Sequence, residues 1–171
     1  MLTPYMPQAE IAIMDMVLAL KRPVRVLEFG AGGSTVRWSG LPFIERWVTV
    51  EHDPEWYDKV RADCKENGAK AEVYLVPLEP TSYYIGDVQE HFYDLIFVDG
   101  EHRVECIKAS PQWLAPDGVV VLHDAIRLEY AEAWDVYPYR AMLTRGECVR
   151  GGLALEHGGC RNGLMVMWGD G

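Results

Sequence analysis

Several absences narrow the chemistry of this sequence. It has no Cys-x-x-Cys pair, and Cys64, Cys106, Cys148 and Cys160 are widely separated. That spacing argues against a zinc knuckle or redox pair and for reduced thiols rather than a disulfide framework. No apolar run approaches the ~18 residues of a membrane span. The longest, residues 11–20, is broken by Asp15 and reads as a buried helix, so no membrane association is expected. The N-terminus lacks a basic stretch with a small-residue cleavage site, and the expectation is a cytoplasmic protein. Positive charge is scarce, with 16 Lys and Arg against 26 Asp and Glu and a net charge of −10. The average field therefore repels a phosphate backbone, which argues against nucleic acid and for a small-molecule or protein partner.

What remains is the composition of one globular domain, 171 residues long and 49% hydrophobic. There is no internal repeat or low-complexity tract, so the whole of residues 1–171 is expected to form a single domain. Short apolar runs at residues 24–29, 47–51, 71–76, 95–98 and 119–122 suit parallel strands covered on both faces. Helical patterns lie between them at 8–20, 35–39, 54–66 and 104–114, with a longer one at 127–143. Asp53-Pro54 and Gly33-Ser34 are helix starts, while Asn67-Gly68 and Pro116-Asp117-Gly118 are stops or turns. Residues 152–155 and 164–168, joined by a Gly-rich turn, read as an antiparallel hairpin. The expected fold is α/β and doubly wound: a seven-stranded mixed sheet of five parallel strands plus a C-terminal hairpin, with helices on both faces.

The most informative segment is Val26-Leu27-Glu28-Phe29-Gly30-Ala31-Gly32-Gly33-Ser34-Thr35, an apolar strand entering three glycines and then a helix start. Such a backbone can turn sharply and approach a ligand closely, although a purely structural turn would look the same. The next strand ends in Glu51-His52-Asp53, an acidic end about 20 residues beyond the first glycines, where a ribose would present its hydroxyls.

These two segments resemble the first two motifs of the class I S-adenosylmethionine-dependent methyltransferases, a Rossmann-like family, and the likeness extends over nearly the whole chain. The resemblance implies an S-adenosylmethionine cofactor, with Gly30, Ala31, Gly32 and Ser34 bordering its amino-acid portion. It also implies Glu51, with His52 beside it, at the ribose and Glu28 in support through the loop or water. The acidic residue that the family places after its third strand for adenine is represented only by the displaced Glu79. A nicotinamide-dependent oxidoreductase is the rival reading. Against it, Thr35 stands at the third glycine of the dinucleotide fingerprint, and no Tyr-x-x-x-Lys pair is present.

A second polar cluster follows two further strands, in Asp99-Gly100-Glu101-His102-Arg103 and His123-Asp124. Each aspartate could equally cap the helix that follows it. The run Tyr93-Asp94-Leu95-Ile96-Phe97-Val98-Asp99-Gly100 is similar to the fourth motif of small O-methyltransferases. That similarity implies that Asp99 lies beside the reacting methyl group, and His102 and Asp124 are the candidate bases for the acceptor's proton. In the catechol and caffeoyl-coenzyme A O-methyltransferases two aspartates and an asparagine at these strand ends hold a divalent metal. Asp99 and Asp124 match the aspartates, but Ala125 replaces the asparagine, so the expectation is a metal-independent enzyme. Nitrogen ligation by His102 and His123 is the alternative, and a packed imidazole is the plain reading of His123. Tyr83 and Tyr84 read as loop aromatics that either cover the ligand or face solvent. The acceptor is expected to be a small molecule, a homodimer is left open by the short core, and an inactive cofactor-binding relative is the non-enzyme alternative.

Overall fold

The computed structural model describes residues 1–86, 92–144 and 163–170. The chain runs α1 (Gln8–Lys21), β1 (Arg25–Phe29), α2 (Gly33–Trp38), β2 (Arg46–Glu51), α3 (Pro54–Asn67), β3 (Ala71–Leu75) and α4 (Thr81–Gly86). It continues through β4 (Tyr93–Val98), α5 (Arg103–Ala109), β5 (Leu114–Leu122), a 3-10 segment (Leu128–Val136), β6 (Tyr139–Met142) and β7 (Met165–Trp168). All seven strands form one sheet in the order β3-β2-β1-β4-β5-β7-β6. The first five are parallel, while β7 runs antiparallel to both β5 and β6. The doubly wound mixed sheet expected from the apolar runs is therefore present.

Alternation along the strands sends side chains to two buried layers, as a sheet covered on both faces requires. On one face Val26, Trp47, Leu95, Phe97 and Val121 pack with Ile11, Met14, Leu18 and Trp38. On the other, Leu27, Phe29, Val50, Ile96, Val98 and Leu122 pack with Tyr84, Val104, Ile107 and Ala133. Helix α3 starts and stops where its sequence says it should. The Asp53 carboxylate accepts from the N–H groups of Glu55 and Trp56, both at 2.9 Å, Pro54 opens the first turn, and Gly68 ends the helix at φ 66°.

Several expectations need correction. Residues 127–143 are not one helix. The 3-10 segment ends at Val136, and Tyr137 is extended at φ −113°, ψ 143°, the conformation forced on a residue that precedes a proline, here Pro138. The strand that pairs with β7 is therefore Tyr139–Met142, whereas residues 152–155, proposed for that role, lie outside the described residues. The turn at 116–118 is instead an irregularity within β5. Between the pairs Tyr93↔Leu114 and Leu95↔Val119, β5 advances five residues while β4 advances two. Residues 81–86, read as loop, form α4, and Tyr84 on it is fully buried. Cys64 and Cys106 are buried free thiols, and Cys148 and Cys160 lie outside the described residues. Among the described residues no helix is long and apolar enough to cross a membrane.

Candidate active site

The carboxyl ends of β1, β2, β4 and β5 open into a cavity of about 780 Å³, within the range of small-molecule sites. Its lining includes Gly30, Ala31, Gly32, Gly33 and Ser34 from the loop after β1, and Glu51, His52 and Asp53 after β2. Asp99, Gly100, Glu101 and Arg103 come from beyond β4, and His123, Asp124 and Arg127 from beyond β5. The parallel register of the sheet is what gathers segments so far apart in sequence.

The three loop glycines have different reasons to be glycine. Gly30 is at φ 94°, and a Cβ there would come within 2.5 Å of the Gly100 backbone, so it permits the loops after β1 and β4 to touch. A Cβ on Gly33 would overlap the backbone of Thr3 and Pro4. The N-terminal strap therefore crosses the loop at this point, and the Met1 ammonium and Leu2 N–H hold it to Asp63. Gly32 has neither constraint. Its φ of −179° suits any residue, and nothing lies within 4 Å of where its Cβ would be, because that position faces the open cavity.

Glu28 stands behind the loop rather than in the cavity. Fully buried, it accepts from Ser34 Oγ at 2.5 Å, Thr35 Oγ1 at 2.6 Å and Trp47 Nε1 at 2.8 Å. Burial raises its pKa to about 7 against the opposing pull of those donors. Thr35 Oγ1 also accepts the Gly32 N–H at 2.9 Å, so the carboxyl fixes the loop from beneath. At the end of β2, Glu51 Oε1 accepts from the N–H groups of His52 (2.7 Å) and Asp53 (2.9 Å). Both bonds fall on one oxygen, so the carboxylate is oriented without engaging Oε2.

Asp99 and Asp124 are held by cations. Arg103 reaches Asp99 Oδ1 at 3.2 Å and Asp124 Oδ2 at 3.4 Å, and it also donates to the carbonyls of Asp99, Gly100 and His123. Arg127 meets Asp124 Oδ2 at 2.5 Å. His123 is not an apolar-core imidazole. Burial would lower its pKa, but hydrogen bonds to Asp99 (2.7 Å) and Glu10 (3.0 Å) raise it to about 9, making it an imidazolium at neutral pH. His102 is placed differently from the other candidates. It caps α5 in a left-handed conformation, its ring lies edge-on to Tyr84 at 6.2 Å, and it is absent from the cavity lining. Among the described residues no group of three or more His, Cys, Asp or Glu is gathered as metal ligands are.

Sequence reasoning missed Glu10, Arg103 and Arg127. For Glu10 a signal existed: it shares the i, i+4, i+8 stripe of α1 with the fully buried Met14 and Leu18, an acid at a core position. The arginines also carried a local signal, Arg103 standing four residues after Asp99 and Arg127 three after Asp124, whereas the Arg103 contact with Asp124 comes only from the fold. Tyr5, exposed at the cavity rim, and Trp56, whose Nε1 donates to the Ala31 carbonyl at 2.7 Å, are further lining residues it did not single out.

Comparison with solved structures shows that the fold is shared with methyltransferases. A methyltransferase-like protein from Silicibacter pomeroyi superposes with a TM-score of 0.74 at 19% identity, over 99% of this chain and 90% of that one. An O-methyltransferase from Bacillus cereus in complex with SAH gives 0.71 at 14% identity, over 96% and 84%. TomG, an O-methyltransferase from Streptomyces achromogenes in complex with SAM, gives 0.65 at 13%, over 95% and 81%. In sequence, glucuronoxylan 4-O-methyltransferase 1 of Arabidopsis thaliana is 35% identical over 60 residues, which is 35% of this chain. The match spans about a fifth (21%) of that relative's length. No family model matches the chain.

Proposed function

We propose that this chain is an S-adenosylmethionine-dependent methyltransferase acting on an oxygen of a small molecule. The observation that carries the reading is Gly32, a glycine required by neither its backbone nor its protein neighbours, on the wall of a cavity with carboxylates at the strand ends. That space is what a ligand pressed against the loop needs.

In this reading the loop from Gly30 to Ser34 borders the amino-acid end of the donor and Glu51 Oε2 takes the ribose hydroxyls, with His52 beside it. Glu28 acts on the loop alone. The lining carries five carboxylates, Glu51, Asp53, Asp99, Glu101 and Asp124, against two arginines and the His123 imidazolium. An excess of negative charge favours a ligand with sulfonium and ammonium groups. The donor supplies an electrophilic methyl group and departs as a neutral thioether. The protein must align the acceptor oxygen in line with it and accommodate the acceptor's proton. Asp99 and Asp124 line the cavity and are assigned to the acceptor side. Guanidinium groups hold both, and they are assigned as orienting hydrogen-bond acceptors. Arg103 already places positive charge between these two carboxylates, where a divalent ion would otherwise be needed, and supports metal-independent transfer.

The reading is tested by calorimetry with S-adenosylhomocysteine and with NAD. S-adenosylhomocysteine should bind with a micromolar or lower Kd, and Glu51→Ala should weaken it by about 1–3 kcal/mol through lost ribose hydrogen bonds. Tight NAD binding with no response to S-adenosylhomocysteine would move the chain to the oxidoreductases.

A further inference from the structure

Glu10 is a buried carboxylate for which the proposed reaction has no direct use. It lies in the first turn of α1, 1% exposed, at the end of the Met14 and Leu18 stripe. Its Oε1 accepts from Thr144 Oγ1 at 2.8 Å and from the Gly163 N–H at 2.6 Å. Its Oε2 meets His123 Nε2 at 3.0 Å. Across the ring, His123 Nδ1 lies 2.7 Å from Asp99 Oδ1. With a carboxylate oxygen on each side, both ring nitrogens donate. The imidazole, itself 3% exposed, is thus a strut between a carboxylate in the core and one on the cavity wall.

The strut has a consequence for Asp99. An aspartate carboxylate turns easily about χ2, so an unsupported one presents no fixed oxygen to a ligand. Here the His123 and Arg103 contacts both fall on Oδ1, which leaves Oδ2 unengaged by them. Burying an acid and an imidazolium together is costly, and apolar residues of similar volume at both places would pack α1 on the sheet as well. The polar chain runs without a gap from Thr144 and Gly163 through Glu10 and His123 to a cavity-lining residue. Stability alone does not call for that continuity.

We propose that Glu10 is a positioning residue for the transfer site, acting through His123 to fix the Asp99 carboxylate with Oδ2 presented to the bound reactants. The proposal rests on the methyltransferase reading for what Asp99 contacts, but the linkage itself can be read without any ligand.

The first measurement is the downfield proton spectrum of the His123 ring in the ligand-free full chain. Glu10→Gln should shift or broaden the Nδ1 proton facing Asp99 together with the Nε2 proton facing residue 10. An Nδ1 signal left at its wild-type position would show that the ring transmits nothing and would overturn the proposal. The second is a double-mutant cycle on S-adenosylmethionine affinity. Glu10→Gln is expected to weaken binding about 3- to 10-fold in the wild-type background and by less than about 1.5-fold beside Asp99→Asn. Equal losses in the two backgrounds would make Glu10 merely structural. Should Glu10→Gln fail to fold, Thr144→Val removes one anchor of Glu10 while leaving the acid and ring in place, and a smaller change in the same direction is expected. No change in either readout for Thr144→Val would then overturn the proposal. A wild-type chain that binds no S-adenosylmethionine refutes the methyltransferase reading, and the ring spectrum still decides the strut.

Discussion

Glu28 has no solvent exposure and three side-chain donors around it, so its protonation state bears on the loop it supports. The folded chain holds the Glu28 proton up to about pH 7, whereas the unfolded chain releases it near 4.5. Between those values the folded state binds more protons. This group's contribution to stability therefore falls as pH rises from about 4.5 to about 7 and is level above that. Glu28→Gln removes the titration, so the difference in unfolding free energy between pH 5 and pH 7.5 should change by about 2 kcal/mol. Chemical denaturation at the two pH values measures it, and an unaltered difference would mean that Glu28 is ionised throughout. His102 carries the other prediction at this scale. Since it lies against Tyr84 and outside the cavity lining, His102→Ala should reduce turnover on a true acceptor by less than about tenfold. A loss of about 10²-fold or more at unchanged S-adenosylhomocysteine affinity would restore it as the general base.

At the scale of elements, the place of the N-terminal strap depends on Gly33. The Thr3 and Pro4 backbone occupies the space a Gly33 side chain would need, and Asp63 anchors the strap's first two residues. Gly33→Ala should therefore displace the strap at a cost of about 1–3 kcal/mol. Hydrogen exchange at residues 1–7 should rise in that variant, and unchanged protection would mean that the loop yields instead. The strap illustrates why some elements were legible in the sequence and others were not. Helix α3 carries its start and stop in Asp53-Pro54 and Asn67-Gly68, and the buried strands announce themselves as short apolar runs, because these signals are local. The strap's course, and the reason for a glycine at position 33, depend on a contact about 30 residues away in sequence. Pro138 was a local signal that should have ended the helix proposed for 127–143, since the residue before a proline is driven to extended backbone.

For the whole molecule, the sheet order fixes which strand ends meet, and the cavity follows from it. Gly30 to Ser34, Glu51, His52, Asp99 and Asp124 could all be named from the sequence because each stands at the carboxyl end of a recognisable strand. The contacts that cross between strand ends could not. Arg103 reaches Asp124, His123 reaches Asp99, and Glu10 reaches His123 across 113 positions, only once β4 and β5 are adjacent and α1 covers them. The central claim is that the cavity exists for a donor pressed against the glycine loop. Calorimetry of S-adenosylhomocysteine binding to the wild-type chain and to Gly32→Val tests it most directly. Because Gly32 is extended with open space at its Cβ, the variant should fold with stability within about 1 kcal/mol of wild type. The account predicts a micromolar or lower Kd for the wild type and at least an approximately 100-fold loss in the variant, the branched side chain filling the donor's place. Wild-type affinity in a folded Gly32→Val chain would contradict it.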